Sequence, residues 1–146
     1  MARHRAREQA LQLLFQWDMR RIPLDEISRG YYESLLVDEE GLKRPQPDEF
    51  AGQLVQGVVG EINAVDDLIE RHAQNWRIVR MPAVDRNILR IAAYEMKRTD
   101  TPPAVVIDEA LELARRFAGE ESVHFVNGVL DAIRRELVAP AGVTPA

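Results

Sequence analysis

Apolar residues recur every three or four positions along most of the chain, which is the spacing of one face of an α-helix. No segment shows the alternation of apolar and polar side chains that is typical of a strand. The periodic segments predict helices over the following ranges: about 3–20, 24–37, 48–76 (as one or two helices), 82–98, 103–118 and 122–137. The chain is therefore expected to be all-α, with about seven helices in a compact bundle.

Glycine, proline and serine mark the expected ends of these helices. Gly57 and Gly60 predict either a break or a close helix contact within the third segment. Pro47 suits the first turn of that segment, where its missing N–H costs nothing. Gly119 is a stop signal for the penultimate helix, and Ser122 is expected to be the N-cap of the last one.

Length and composition suit one domain. A chain of 146 residues buries about 68–70% of its unfolded surface, which is enough for a stable core without disulfides or bound metal ions. We predict a single helical domain over residues 1–138 and a disordered tail over 139–146. The sequence has no cysteine, which excludes disulfides and thiolate metal sites. It also lacks an apolar run long enough for a signal sequence or a membrane span, so a soluble, cytoplasmic protein is expected.

The positive charge of the chain is local. The net charge is −5, whereas a protein that binds nucleic acid through its overall charge would be basic. Residues 1–21 nevertheless carry five arginines against two carboxylates, and the segment from Asp25 to Glu49, with its acidic loop at 38–47, is rich in carboxylates. This asymmetry predicts a small positive surface on an acidic body.

Four basic side chains stand at the unfavourable end of the first predicted helix. Arg3, His4, Arg5 and Arg7 occupy its first turns, where the helix dipole already places partial positive charge and each cation costs roughly 0.3–1 kcal/mol. Arginines beside free backbone N–H groups are well suited to binding phosphate. The alternative is a frayed, solvated terminus at which the charge costs little.

The last predicted helix contains Asn127 and Gly128, two poor helix formers, directly after Phe125. A glycine inside a helix costs roughly 1 kcal/mol relative to alanine, and something is expected to offset that cost. An aromatic ring beside a small residue and a polar strip suits stacking on an unpaired base. The competing interpretation, favoured for this segment alone, is close helix packing through Gly128 with Phe125 buried.

Four separated segments resemble, in the same order, the family of the transcription antitermination factor NusB. They begin at Arg3, Ala83, Pro103 and Phe125 and read RHRAREQALQLLF, AVDRNILRIAAYE, PAVVIDEA and FVNGVLD. The likeness covers most of residues 3–137, and several motifs in one order are far more specific than a single motif. The resemblance implies a seven-helix fold made of two helical halves.

The resemblance also implies a function and partners. NusB proteins bind the boxA element of ribosomal RNA leader transcripts together with NusE, a protein of the small ribosomal subunit. The pair joins RNA polymerase with other Nus factors and supports processive transcription. This chain is expected to act in the same way, without a cofactor, a metal or an enzymatic activity.

Site residues follow from the resemblance position by position. The residues expected to bind RNA are Arg3, His4, Arg5, Arg7, Phe125 and Asn127, with the last two near the basic end of the first helix. The residues expected at the NusE junction are Phe15, Asp85, Arg86 and Glu121. His4 stands where Arg or Lys is more usual, and Phe15 lacks the hydroxyl of the Tyr that also fits its position.

Other classes of protein fit the sequence less well than the NusB resemblance. Glu121 and His124 have the Glu-x-x-His spacing of di-iron bundles, but a second such motif is missing, as are a glycine-rich phosphate loop and a nucleophile elbow. One alternative is the RNA-binding domain of some ribosomal RNA methyltransferases, whose separate catalytic domain is not expected in this chain. The other is a helical protein that forms a homodimer through an exposed edge at Leu11 and Phe15 without binding RNA.

Overall fold

Seven α-helices and one short 3₁₀ turn make up the parts of the chain that the computed structural model describes, residues 2–36 and 48–137. The helices are α1 (Ala2–Arg20), α2 (Leu24–Leu36), α3 (Glu49–Gly60), α4 (Ile62–His72), α5 (Ala83–Arg98), α6 (Pro103–Phe117) and α7 (Glu120–Leu137). The 3₁₀ turn Ile78–Arg80 lies between α4 and α5, and these ranges contain no strand. The prediction of an all-α fold with about seven helices is confirmed.

Three expectations fall on residues outside those ranges. They concern the acidic loop at 38–47, the role of Pro47 and the tail at 139–146. The first described residue after the gap, Asp48, is the N-cap of α3, and its Oδ1 accepts a hydrogen bond from the Ala51 N–H at 3.0 Å. None of the described helices combines the length and the apolar character needed to span a bilayer.

Both expectations for the glycines of the third segment are confirmed. The helix breaks after Gly60, where the Glu61 N–H turns back to the carbonyl of Gly57 at 3.0 Å. Gly57 is also a point of close contact, because a Cβ at this position would lie 2.0 Å from Cζ of Tyr94 on α5. Real carbon atoms pack about 3.5–4 Å apart, so only glycine admits the tyrosine ring in this position.

The predicted N-cap of the last helix is wrong. α7 begins at Glu120, two residues before Ser122, directly after Gly119 with its φ of +150°. The Ser122 hydroxyl instead donates to Oδ1 of Asp85 at 2.8 Å. The side chain therefore ties the first turn of α7 to the first turn of α5 and is not available to cap its own helix.

α5 is the central helix. It contacts α1, α3, α4, α6 and α7, and nine of its sixteen residues are buried, as its almost uniformly apolar middle predicts. α1 packs with α2 and α3 on one side, and α7 packs with α4 and α6 on the other. These are the two helical halves, and α5 joins them.

The packing of α1 against α5 includes a buried polar network near the end of α1. Oδ2 of Asp18 accepts from Nε of Arg86 at 2.5 Å and from Asn87 at 3.1 Å, and Nη1 of Arg90 lies 3.4 Å from its other oxygen. Arg90 continues the network to Asp66 of α4, at 2.8 and 2.9 Å. Burial alone would raise the pKa of Asp18, but its partners outweigh burial and lower it. Within the described residues, no buried side-chain polar atom lacks a partner.

Candidate nucleic-acid interface

Arg7 lies inside the protein. Its side chain is 5% exposed, and its Nε and Nη2 reach the two carboxylate oxygens of Glu95 on α5 at 2.8 and 2.5 Å. Burial alone would lower the pKa of this guanidinium, but the hydrogen bond and charge of Glu95 raise it above its ordinary value. The charge of Arg7 is therefore neutralised within the fold, and a phosphate can reach it only after this pair separates.

Arg3 shares an aromatic neighbour with Arg7. The Cζ atoms of the two guanidinium groups lie 4.3 and 5.5 Å from the centre of the Phe50 ring. A cation over a ring face gains about 0.5–1 kcal/mol at an exposed site. The ring thus offsets part of the repulsion between these like charges, and Arg3 remains exposed to solvent.

His4 lies between two carboxylates. Its Nδ1 is 2.8 Å from Oε2 of Glu109 on α6, and its Nε2 is 3.1 Å from Oε1 of Glu8 on α1. Glu8 also accepts a hydrogen bond from Arg116. Carboxylates from neighbouring turns and helices therefore explain how basic side chains are tolerated at the N-terminus of α1.

Arg3 and Arg5 are the exposed cations of the basic end, and the ring of Phe50 lies against Arg3. No carboxylate among the described residues lies within ion-pair distance of Arg5. Arg5 stands on an open polar groove of about 320 Å³, which we call the basic groove. The lining residues of the basic groove are His4, Arg5, Glu8, Gln9, Gln12, Tyr31 and Arg116. Of the predicted basic end, Arg3 and Arg5 are the cations accessible to a phosphate, and Arg5 stands on the basic groove.

An apolar groove of about 430 Å³ follows the basic groove along α1. Its lining residues are Leu11, Gln12, Phe15, Gln16, Val84 and Phe117. Phe15 and Phe117 are 38% and 36% exposed, which is high for aromatic side chains. Leu11 is only 4% exposed, so the expected exposed edge at Leu11 is wrong and the edge is formed by Phe15 and Phe117.

A second aromatic pair stands at the start of α7. The ring centres of Trp76 and Phe125 are 5.9 Å apart with an interplanar angle of 61°, an edge-to-face contact. They line an open cleft of about 270 Å³, which we call the aromatic cleft. Its lining residues are Trp76, Pro82, Asp85, Glu121, Ser122 and Phe125. Phe125 is half-buried and Trp76 is 47% exposed, so the interpretation of a fully buried Phe125 is wrong.

The glycine of α7 does not serve helix packing. A Cβ at Gly128 would meet nothing within 4 Å, so the expectation of close packing there is wrong. Asn127 is exposed, but it and Phe125 flank the buried Val126 on opposite sides, because successive residues of a helix are rotated by about 100°. A base stacked on Phe125 therefore does not lie beside Asn127.

The residues expected at the NusE junction have different surroundings. Asp85 is 5% exposed and accepts from Ser122. Nε of Arg86 pairs with Asp18 at 2.5 Å, and its Nη1 donates to the carbonyl of Met81 at 3.1 Å. Glu121 is exposed at the aromatic cleft. Glu121 is thus accessible to a partner, whereas Arg86 contributes mainly to the internal network.

The three depressions form one surface. Gln12 lines both the basic and the apolar groove, and Val84 of the apolar groove is adjacent in sequence to Asp85 of the aromatic cleft. The structure does not bring Phe125 close to the basic end of α1. α1 and α5 are antiparallel, since residues 7 and 18 contact opposite ends of α5, and these positions are about 16 Å apart along a helix. The apolar groove lies between the basic end of α1 and the aromatic cleft that contains Phe125.

Comparison with known proteins decides the family. A sequence model described as the NusB family matches residues 4–135. The chain belongs to the NusB family. The transcription antitermination protein NusB of Solibacter usitatus (strain Ellin6076) is 57% identical over 139 residues, which are 95% of this chain and 92% of the relative.

Solved NusB structures have the same fold. T. maritima NusB superposes with a TM-score of 0.78 and 38% identity, over 94% of this chain and 93% of that one. A chain in the crystal structure of antitermination factors NusB and NusE in complex with dsRNA superposes with a TM-score of 0.76 and 32% identity, over 93% and 99%. The resemblance to the NusB family and the expected fold are confirmed.

Two aromatic residues on the surface of this NusB-family chain are not among the site residues that the sequence predicts. Phe117 lies at the end of the periodic segment 103–118, whose apolar spacing predicts a buried position, and Trp76 lies at the end of the segment 48–76, beyond the last residue of α4, His72. The signal that the sequence offers at both positions is a large aromatic side chain at the end of a periodic segment. Among the described residues, no group of three or more histidine, aspartate or glutamate side chains, including Glu121 and His124, is placed to hold a metal ion.

Proposed function

We propose that this NusB-family chain binds boxA RNA of ribosomal RNA leader transcripts together with a NusE-like ribosomal protein. With other Nus factors, the complex would support processive transcription by RNA polymerase. The observation that carries the proposal is the continuous surface from the accessible Arg5, through the apolar groove, to the aromatic cleft. The proposal is supported by the crystal structure in which a chain of the same fold occurs in a complex of NusB and NusE with dsRNA.

The RNA contacts are proposed at the two ends of this surface. Arg3 and Arg5 would bind phosphates at the basic end, where His4 supplies a further polar group. Phe125 would stack on an unpaired base at the aromatic cleft, and Asn127 would contact the strand on the far side of α7. Arg7 would act by holding α1 in place through Glu95, which is the role that its burial indicates.

The partner is proposed to occupy the apolar groove. Exposed aromatic rings are typical anchors of protein interfaces, and Phe15 and Phe117 supply them. From there the partner would reach Asp85 and Glu121 in the neighbouring aromatic cleft, and Arg86 would support this side through its pair with Asp18. Since the groove lies between the two proposed RNA-binding ends, a protein bound there lies beside both. We therefore expect the partner to increase the affinity for RNA.

Fluorescence anisotropy of labelled boxA RNA, with and without NusE and against a scrambled RNA, tests the proposal. Selective binding that NusE tightens is the expected result. Equal, weak binding to both RNAs that NusE leaves unchanged would contradict it.

Arg5→Glu tests the basic end in the same assay. The exchange should weaken RNA binding at least tenfold without lowering stability, because the side chain contributes charge but no packing. Arg29→Glu is the matched control, since it makes the same change of charge at an exposed position on α2. Equal losses in both variants would show that only overall charge matters.

A homodimer is a second candidate, favoured by the exposed rings of Phe15 and Phe117. Sedimentation at two salt concentrations separates it from RNA binding, since phosphate contacts weaken as salt rises and an apolar dimer does not. If NusE dissociates the dimer, the second copy of the chain and NusE compete for the same apolar groove.

A further inference from the structure

The segment between α4 and α5 is fixed from inside the protein. Ile78 and Met81 are buried, and the Ile78 N–H donates to Oε1 of Glu70 at 2.8 Å. Asn75 takes a positive φ of 67°, which Asn tolerates better than most residues. The backbone of Trp76 is held by its N–H, which donates to the carbonyl of Ala73 at 3.0 Å. The segment thus has a defined place on the surface.

The outward side of this segment carries an aromatic ring and two available cations. Trp76 is 47% exposed although it contacts Phe125. Arg77 and Arg80 are exposed, and no carboxylate in the described parts of the chain lies within ion-pair distance of either. Most other arginines of the described residues are paired, so Arg77 and Arg80 form, besides Arg3 and Arg5 at the basic end, a second pair of neighbouring arginines without an ion pair.

We propose that Trp76, Arg77 and Arg80, which we call the aromatic–basic turn, form a second RNA-binding element. Trp76 would stack on an unpaired base, and the two arginines would contact phosphates of the same strand. The inference rests on the proposed RNA function and extends it, because the strand would continue past Phe125 onto the turn between α4 and α5. Ring faces next to accessible guanidinium groups are the combination that binds single strands.

The charges around the aromatic cleft indicate which side of the RNA strand faces the cleft. Asp85 is buried and bonded to Ser122, whereas the exposed Glu121 brings negative charge to the cleft. Phosphates are repelled from Glu121 and attracted to Arg77 and Arg80. The sugar–phosphate backbone would therefore follow the 3₁₀ turn, and the bases would point into the cleft.

Salt dependence tests the arginines. Each phosphate contact with single-stranded RNA contributes about 0.7 to the slope of log Kd against log salt concentration. Arg77→Gln/Arg80→Gln should therefore reduce the slope by about 1.4. Arg134→Gln/Arg135→Gln is the matched control, since it removes the same charge from two exposed arginines that are paired with Asp131. Its slope should stay near that of the wild type.

Tryptophan fluorescence tests the ring. The chain has two tryptophans, so Trp17→Phe leaves Trp76 as the single reporter. Stacking on a base should quench its emission when boxA RNA is added and leave it unchanged when NusE alone is added. Trp76→Leu should weaken RNA binding about 5- to 140-fold, the range expected for one base–aromatic stack. Its salt slope should not change, because stacking releases no ions.

The outcomes separate the turn from the rest of the site. If the wild type binds RNA while both sets of variants keep its affinity and slope and the Trp76 emission does not respond, the aromatic–basic turn is overturned and the proposed function stands. Variants that weaken NusE binding but not RNA binding would assign the turn to the protein partner and also overturn it. A wild type that binds no RNA, with or without NusE, overturns both proposals.

Discussion

At the residue scale, the basic start of α1 contains side chains with opposite roles. Arg5 is exposed and without an ion pair among the described residues, whereas Arg7, two positions later, is buried against Glu95. Sequence places both in one positive cluster, but only the tertiary structure shows which charge is neutralised. A basic cluster at a helix N-terminus can therefore combine ligand binding and folding within one turn.

Arg7→Met is expected to lower the free energy of unfolding by about 3–5 kcal/mol, because it leaves the buried Glu95 without its partner. Arg7→Met/Glu95→Leu should recover most of that loss, since apolar residues of similar volume often replace a buried ion pair at little cost. Urea unfolding of both variants measures the two values. RNA affinity of the folded double variant then tests Arg7 directly, and a large loss would show that Arg7 contacts RNA after all.

Gly128→Ala is expected to raise the free energy of unfolding by about 0.5–1 kcal/mol. The added methyl group meets nothing within 4 Å, and the helix gains a residue with higher helix propensity. Thermal and urea unfolding provide the measurement. Destabilisation would mean that this surface of α7 is covered in solution.

At the scale of elements, the helices were predictable because their apolar periodicity is a local property. α5 stood out as central from its own apolar middle. The partners of Arg7 and Asp18 were not predictable, since they lie 88 and 68 residues away along the chain. Phe125 was identified from a local anomaly in α7. Trp76 was missed because its place beside Phe125 depends on how α4 and α7 meet.

The contact between α3 and α5 provides a prediction at this scale. Gly57→Ala should lower the free energy of unfolding by about 1–3 kcal/mol, the usual cost of overpacking, because the methyl group collides with the Tyr94 ring. Gly52→Ala on the same helix is the control, since a Cβ there meets nothing within 4 Å. It should be neutral or stabilising in the same urea titration. Equal effects in the two variants would show that Tyr94 moves aside freely.

At the scale of the whole molecule, the network of Asp18, Arg86, Arg90 and Asp66 joins α1, α4 and α5 across both helical halves. It lies beneath the start of α5, where the apolar groove and the aromatic cleft meet. The surface proposed to bind two partners is therefore built on a network of hydrogen-bonded, oppositely charged side chains. The sequence identified the fold and most of this surface, but not the order of its three depressions.

The lowered pKa of Asp18 gives this network a defined pH dependence. A carboxyl group with a lower pKa in the folded state contributes stability that is fully present above its unfolded pKa of about 4. That contribution is lost as the pH falls from there through the lowered native pKa. In Asp18→Asn this part of the acid dependence should disappear. Urea titrations of both proteins between about pH 2 and 5 measure it, and parallel curves would contradict the prediction.

The pairing of Arg7 with Glu95 also has a consequence in time. The glutamate is synthesised 88 residues after the arginine. Because ribosomes add about 5–20 residues per second, Glu95 becomes available to Arg7 of α1 roughly 4–18 s later. During that interval its apolar face has no central helix to cover it. In a nascent chain arrested before α5, the apolar face of α1 should therefore be exposed and able to bind chaperones. In a chain arrested after α7, this face should be covered.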